Sequence, residues 1–538
     1  MDQDNAVNRR DFIKAGAAVT TAVGLSAASY NKVYGANDRI GIAFLGVGGR
    51  CQQHIDVILN LQRQGRALAP VACCDVWDGD PQLGRRPDGT FNGRGLYPSA
   101  RRCGLNVDDR TRVTKDYRRI LELPEVDIVC VASPDHWHAK MCIDAANAGK
   151  DIYCEKPMTR TIDEAHAVLD VVRRNNRIMT VGVQWMADSS WRLANEMIKR
   201  GDIGHMCQAQ TSYYRNSLVG QWRYYPLTRT MNPTTIDWDM FLGHQFHVIP
   251  GVPLAQRMDF DRALFAQWRC YWQFGGGLYT DLFVHRTTRM IAAMGVRYPA
   301  RVVGAGGIFL EYDGRDVPDV ATIVADYGEG CQLIITGTMI NNHPIEDCIR
   351  GRLATLNFKK RTIQQGGQNR DDWGFEVIPQ DISNRPTQGG PNTTAQRFIG
   401  GGLSEDAGTQ ALWLNFLDCC RTRTNETWST LELGAAAFTT VAMGVQSYRT
   451  GQALYWNSDQ RRPITADAYW ATQWERRSHE RGTPNQVAGW AGGNSGSVLV
   501  PPAYQQLAGP WVNGRDPAAP PVAGAAGAVV GSATGNNR

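Results

Sequence analysis

The 538-residue chain has no C-x-x-C pair and no H-E-x-x-H helix, which removes the usual sequence signs of a zinc site. Its thirteen cysteines are odd in number, and most sit in apolar runs (Cys73, Cys74, Cys130, Cys142, Cys419, Cys420). They are expected to behave as small hydrophobes, with no disulfide framework. Excess charge of one sign is scarce: the formal net charge is +5, and no basic stripe with interleaved aromatics is present, which argues against a nucleic-acid binder. Internal repeats are absent. After the amino terminus there is no run of 18 or more apolar residues, so the rest of the chain is expected to be soluble.

What is present is an ordinary globular composition, 43% hydrophobic and 20% charged, on a chain long enough for two or three packed domains. It opens with "NRRDFIKAGAAVTTAVGLSAASY", paired arginines followed by a short Ala- and Gly-rich apolar run. This reads as a twin-arginine export signal over residues 1–36, which implies a periplasmic or otherwise exported protein and the twin-arginine machinery as a partner. That route exports folded proteins, so a cofactor can be loaded before export.

From Arg39 the pattern becomes strand, glycine turn, helix: "RIGIAFL", then Gly46 to Gly49, then helical spacing through Ile55, Ile58 and Leu59. "LAPVACCD" ends a second apolar strand at Asp75, and "VDIVCVAS" ends a later one near Ser133. Residues 79–112, rich in Gly, Arg and Asp, read as a long surface insertion. Alternating strands and helices predict a doubly wound parallel sheet over 37–157. Over 158–457 several β segments with few helices between them predict an α/β domain with a large open, mostly antiparallel sheet. Residues 364–410 read as a loop, and 458–538 as an extension disordered toward its end.

In a strand–turn–helix unit Gly46, Gly48 and Gly49 let a pyrophosphate approach the backbone, and Arg50 stands at the helix start. Cys51 occupies the third glycine position of the dinucleotide fingerprint, a departure that still allows close helix packing. Asp75, somewhat later than the usual spacing of about 20 residues, suits both hydroxyls of an adenosine ribose and repels a 2′-phosphate, favouring NAD over NADP. "SPDHWH" and "EKP" both follow strand ends, where open α/β sheets bind ligands, placing Ser133, His136, Glu155 and Lys156 at one cleft. A lysine beside a low-dielectric ring can have its pKa lowered and exchange the proton of an alcohol.

Together "GVGGRC", "SPDHWHAKMCIDAANAGKDIYCEKP" and "FGGGLYTDLFVH" resemble the Gfo/Idh/MocA oxidoreductases over Asn37 to Trp456. The resemblance implies a catalytic Lys156 near the substrate carbinol, Glu155 toward the cofactor ribose, Pro157 shaping the turn, and Gln184 close to nicotinamide or substrate. It also implies that His285 joins Lys156 in proton transfer, with Asp281 orienting it; i, i+4 spacing on a helix from Gly277 would set both on one face. Asp135 replaces the family's more usual Asn, and the family's histidine corresponds to His138, which has an equally good structural reading. The aromatic clusters "WRYY", "DWDMFLG" and "QWRCYW" suit either sugar stacking or a core. The implied activity is hydride transfer between NAD and a secondary alcohol of a sugar, glycoside or polyol, by a homo-oligomer. Two alternatives share these residues: an NAD-dependent glycosidase or lyase acting through transient oxidation, and a non-catalytic sugar-binding protein.

Overall fold

Ile40–Leu45 (β1) is apolar and buried at every position, as a central strand covered on both faces must be. In the computed structural model, which describes residues 39–84, 89, 92–365, 368–380, 397–400, 405–465 and 470–474, it lies in the middle of a six-stranded parallel sheet. The other strands are Leu68–Cys74 (β2), Val113–Thr114 (β3), Ile128–Val131 (β4), Asp151–Glu155 (β5) and Met179–Gly182 (β6). Their order is β3-β2-β1-β4-β5-β6, so the strand order reverses between β1 and β4 and opens a crevice at the carboxyl ends of those two strands. The export segment read at 1–36 and residues 475–538 lie outside the described residues.

Helix α1 (Cys51–Arg63) follows β1 and buries Cys51, His54, Ile55, Ile58 and Leu61, one stripe at helical spacing. The segment read as a surface insertion is partly helical. Helix α2 (Leu96–Arg102) buries Leu96, Ser99 and Ala100 against the sheet, and Gln52 Nε2 donates to Ser99 Oγ at 2.9 Å. Two turns are too short to show a periodicity among glycines and arginines. Helix α3 (Asp135–Asn147) links β4 to β5, and α4 (Ile162–Arg174) links β5 to β6.

The expected domain boundary at 157 falls inside this sheet, because β6 pairs with β5 from Ile152↔Met179 to Glu155↔Gly182. The parallel domain therefore runs on past Gly182. It also recruits a distant helix, α6 (Glu405–Thr422): Leu412, Trp413, Phe416 and Leu417 share a core with Ile42, Phe44, Ile55 and Tyr153. No local signal ties a helix this far along the chain to the first sheet.

The second sheet is built from Met206–Asn216 (β7), Arg301–Gly307 (β8), Val320–Tyr327 (β9), Cys331–Thr338 (β10), Ile340–Asn341 (β11), Asp347–Gly351 (β12), Ala354–Gln365 (β13), Gln368–Pro379 (β14), Arg397–Ile399 (β15), Leu454–Asn457 (β16) and Arg462–Ile464 (β17). Its pairs are antiparallel except β7 with β10, matching the expected open sheet. Along β10, Cys331, Leu333 and Ile335 point into the core while Gln332, Ile334 and Thr336 face outward, so one face is covered and the other is not. Helices α5 (Val284–Met294) and α7 (Leu431–Thr450) pack in the same core. The loop expected over 364–410 contains β14, paired along its length with β13, and β15. Hairpin pairing overrides the weak strand preference of a Gly-, Asn- and Gln-rich stretch. All thirteen cysteines are unbridged, and among the described residues no helix is long and apolar enough to cross a membrane.

The loop after β5 is anchored by the start of α4. Thr161 Oγ1 accepts from Glu164 N, and the Glu164 carboxylate accepts from the backbone N–H groups of Arg160 and Thr161, a complete capping box. Thr161→Ala is expected to cost about 1 kcal/mol, read as a lower urea midpoint, while Thr161→Ser keeps most of the stability.

Candidate active site

The chain turns sharply after β1. Gly46 has φ +81°, its N–H donates to Cys74 O at 2.9 Å, and a Cβ there would lie 2.6 Å from the backbone of Ser133. Only glycine fits both conditions. Beyond it, Gly48 and Gly49 line a cavity of about 530 Å³ that runs from the turn, along the strand ends, into the second domain. The positive end of the α1 dipole faces this turn. Cys51, at the third glycine position of the fingerprint, is fully buried in the core of the parallel domain.

Asp75 stands at the cavity wall after β2 and accepts from Trp77 N at 2.9 Å. Burial pushes its carboxyl up to about 6, against backbone N–H groups and Lys115, which act the other way. Ser133, after β4, lines the same wall with its Oγ buried and, among the described residues, without a partner. His138 ties two of the loops together: Nδ1 is 2.6 Å from Pro157 O and Nε2 is 2.8 Å from Ser133 O. His136 does not line the cavity. It is fully buried, with Nε2 2.8 Å from Phe241 O and its ring against Phe241 and Phe274, so the cofactor contact expected of it is corrected. Two residues along a helix turn through about 200°, so His136 and His138 face opposite sides of α3.

Glu155 is held from within the protein. Its Oε1 accepts from Arg50 Nε at 2.7 Å and lies 2.9 Å from His54 Nε2. Trp413 Nε1 donates to His54 Nδ1 at 2.9 Å, which leaves the imidazole proton on Nε2, directed at Glu155. Burial alone would raise the Glu155 pKa, but Arg50, His54 and Lys156 together hold it well below the ordinary value.

Lys156, joined to Pro157 by a cis bond, reaches across to the second domain. Its Nζ donates to Asp281 Oδ1 at 2.7 Å and to Asp281 O at 3.1 Å, and Arg269 Nε donates to the same Oδ1 at 3.1 Å. Burial works to raise the Asp281 pKa, yet Lys156 and Arg269 outweigh it and hold the carboxylate ionised. His285 is 8% exposed with Nδ1 unpartnered; burial, then the Lys156 charge, depress its pKa far enough to keep the ring neutral. The helix expected from Gly277 begins as a wide π turn over Leu278–Phe283 before α5, and Asp281 and His285 both still line the cavity. Gln184, just after β6, lines it too.

Arg94, Tyr213 and Arg215 also line the cavity and were not singled out by the sequence. Arg94, from the segment read as an insertion, sets its guanidinium 3.3 Å from where a Gly49 Cβ would be. Tyr213 and Arg215, two apart on β7, could have been paired by strand alternation. Trp222, Tyr224 and Tyr225 of "WRYY" and Trp268 and Arg269 of "QWRCYW" face the cavity, whereas Trp238 of "DWDMFLG" stacks on Phe241. Trp222 is buried with φ +65°, a backbone region that bulky residues seldom occupy.

Residues 40–183 match the profile of the Gfo/Idh/MocA family, described as an oxidoreductase family with an NAD-binding Rossmann fold. Levoglucosan dehydrogenase of Pseudarthrobacter phenanthrenivorans is 35% identical over 118 residues, 22% of this chain and 29% of that protein. The α-N-acetylgalactosaminidase of Shewanella oneidensis is 24% identical over 248 residues, 41% of this chain and 50% of the relative. The chain thus spans no more than half the length of either of these curated relatives. A solved levoglucosan dehydrogenase in complex with NADH and levoglucosan superposes with a TM-score of 0.51 at 18% identity, covering 78% of this chain and 99% of that one. An NAD binding oxidoreductase from Klebsiella pneumoniae gives 0.54 at 16% identity, covering 80% and 100%. At these identities the two structures establish a shared fold.

Removing the Asp281 carboxylate leaves two part-buried cations facing an amide. Asp281→Asn is expected to lower stability at pH 7 by roughly 3 kcal/mol. Because the folded-state pKa is depressed, this contribution is full above the ordinary carboxylate range and is lost as pH falls through the folded value. The gap to wild type should therefore narrow only below about pH 4, checked by urea titrations at several pH values.

Proposed function

Because residues 40–183 belong to the Gfo/Idh/MocA oxidoreductases with their NAD-binding Rossmann fold, we propose that this chain transfers a hydride between NAD and a secondary alcohol of a sugar, glycoside or polyol. The observation that supports it best is one buried cluster, Lys156, Asp281 and neutral His285, at the far end of a cavity that starts at the Gly46 turn.

The residues present fit the dinucleotide. A side chain at Gly46 would fill the cradle, Gly48 has open space around it, and Ser133 offers a buried hydroxyl without a partner. Gly46, Gly48, Gly49 and the start of α1 at Arg50 would hold the pyrophosphate, and Asp75 the adenosine ribose. Gln184 would border the ring, with Glu155 acting on Lys156 and Arg50 from behind. Bound there, NAD supplies the hydride acceptor.

The substrate hydroxyl is placed between two groups of opposite roles. Lys156 donates hydrogen bonds toward the alcohol oxygen and stabilises the negative charge that develops on it. His285, neutral and with a ring nitrogen free of protein partners, accepts the hydroxyl proton at Nδ1. Asp281 fixes the Lys156 ammonium through its carboxylate and its carbonyl, so the donor cannot swing away.

One observation favours a second reading, the glycosidase or lyase. The α-N-acetylgalactosaminidase alignment extends over more of this chain than that of the dehydrogenase. Glycoside cleavage with no net NADH would support it, while growth of absorbance near 340 nm on adding sugars with NAD supports the dehydrogenase. Export through the twin-arginine route forms part of the proposal and is supported by Arg9, Arg10 and the apolar run after them.

Lys156→Ala and His285→Ala are each expected to lower kcat/KM about 10²- to 10⁴-fold while NAD affinity, read by quenching of protein fluorescence, changes little. Sugar binding with no rate to lose would favour the non-catalytic alternative.

Asp75→Ala should weaken NAD and narrow its advantage over NADP. Ribose hydroxyls prefer the ionised carboxylate, so wild-type NAD affinity should fall as pH drops through about 6, and the variant should lack that step. An unchanged cofactor preference would show that another group reads the ribose.

A further inference from the structure

The substrate half of the cavity holds more positive charge than the proton chemistry uses. Arg215, on β7, lies over the Tyr213 ring at 4.9 Å from its centroid, and its Nη2 donates to Tyr213 Oη at 2.6 Å. Among the described residues no carboxylate pairs with it. Arg269 gives its Nε to Asp281, while its guanidinium carbon lies over Trp268 at 4.1 Å and 5.7 Å from the Tyr225 centroid. Its two terminal nitrogens have no protein acceptor among the described residues, although both arginines line the cavity. Lys156 adds a third cation.

Against these three, the carboxylate in direct contact is that of Asp281, which Lys156 and Arg269 already share. The other acids nearby do not restore the balance. Asp135 is buried and makes no ion pair with Arg215 or Arg269 among the described residues; burial, then the neighbouring Asp281, push its pKa up, against Arg269 and Lys156. Glu155 is engaged by Arg50 and His54, Asp313 by Arg223 and Arg315, and Glu311 by Arg315. Guanidinium donors withdrawn from bulk water without an anion are unfavourable, and hydroxyl groups compensate them poorly. A planar fork of N–H donors matches a carboxylate or a phosphate bidentately.

We propose that the substrate is an anionic carbohydrate, its carboxylate or phosphate held by Arg215 and Arg269 and its ring set against the aromatic wall of Tyr213, Tyr225 and Trp268. This rests on the oxidoreductase reading above and narrows its substrate class.

The test uses the full-length protein with NAD and matched compounds: glucose, glucuronate and glucose 6-phosphate, then galactose and galacturonate. Initial rates are read at 340 nm, and dissociation constants are measured separately by calorimetry with NADH present. An anionic member is expected to exceed its neutral partner about 10- to 100-fold in kcat/KM. Whether the uronates or the phosphate show the preference identifies the anion. Arg215→Met should bring the ratio close to one, Arg215→Lys should retain part of it, and added NaCl should reduce it. Neutral sugars used as well as their anionic partners would overturn the inference and leave the oxidoreductase reading standing. Arg215-dependent binding of the anions without turnover of any compound would keep the anion site but overturn the substrate role given to it, together with that reading. If no anion binds or reacts, the inference fails.

Discussion

The contact between Lys156 and Asp281 joins the two halves of the molecule at the point where chemistry is expected. One partner leaves the carboxyl end of β5 in the parallel sheet; the other sits on the wide turn leading into α5, and their charged atoms are 2.7 Å apart. A buried pair of this kind adds little net stability, because desolvation cancels much of the attraction. It does impose position, since separating the partners leaves an unpaired charge inside the protein. The orientation of the amine follows from that constraint, while His285 is kept neutral first by burial and then by the Lys156 charge.

Two neighbouring carboxyls illustrate how burial and partners divide roles. Asp135 and Asp281 are both buried, yet only Asp281 has cations in direct contact, so its pKa is held down while burial raises that of Asp135. Groups driven apart in this way are what acid–base chemistry at neutral pH requires. Behind them, the chain Trp413–His54–Glu155–Arg50 is a run of hydrogen bonds reaching from α6 to the glycine turn. Trp413 also stacks on Tyr153 at 4.2 Å, so the helix that orients His54 is held by apolar contact as well. The segment far along the chain is therefore part of the nucleotide domain, and the polypeptide does not divide into consecutive pieces.

The charge pattern along the cavity changes from one end to the other. Near the glycine turn, Arg50 and Arg94 line the cavity, with Asp75 as the acid on its wall. Near Asp281 the cations outnumber the ionised acids, and aromatic rings form the wall. One end thus suits phosphates and a diol, the other a ring that carries its own negative charge.

Local pattern was enough to read the apolar β1 run, the turn at Gly46, the strand ends at Asp75, Ser133 and Lys156, and the open second sheet, because side-chain period and glycine's freedom act over a few residues. Asp281 and His285 were legible as a spaced pair, although the π turn that presents Asp281 was not. The choice between His136 and His138 depended on helical phase, which only packing against Phe241 and Phe274 resolved. β14, the return of α6 to the first sheet and the placing of Arg94 beside the glycine turn were decided by partners distant in sequence. Amino-acid order alone specified which groups are available and which strand ends offer them; the tertiary structure decided which of them meet, because burial and pairing depend on neighbours that only folding supplies.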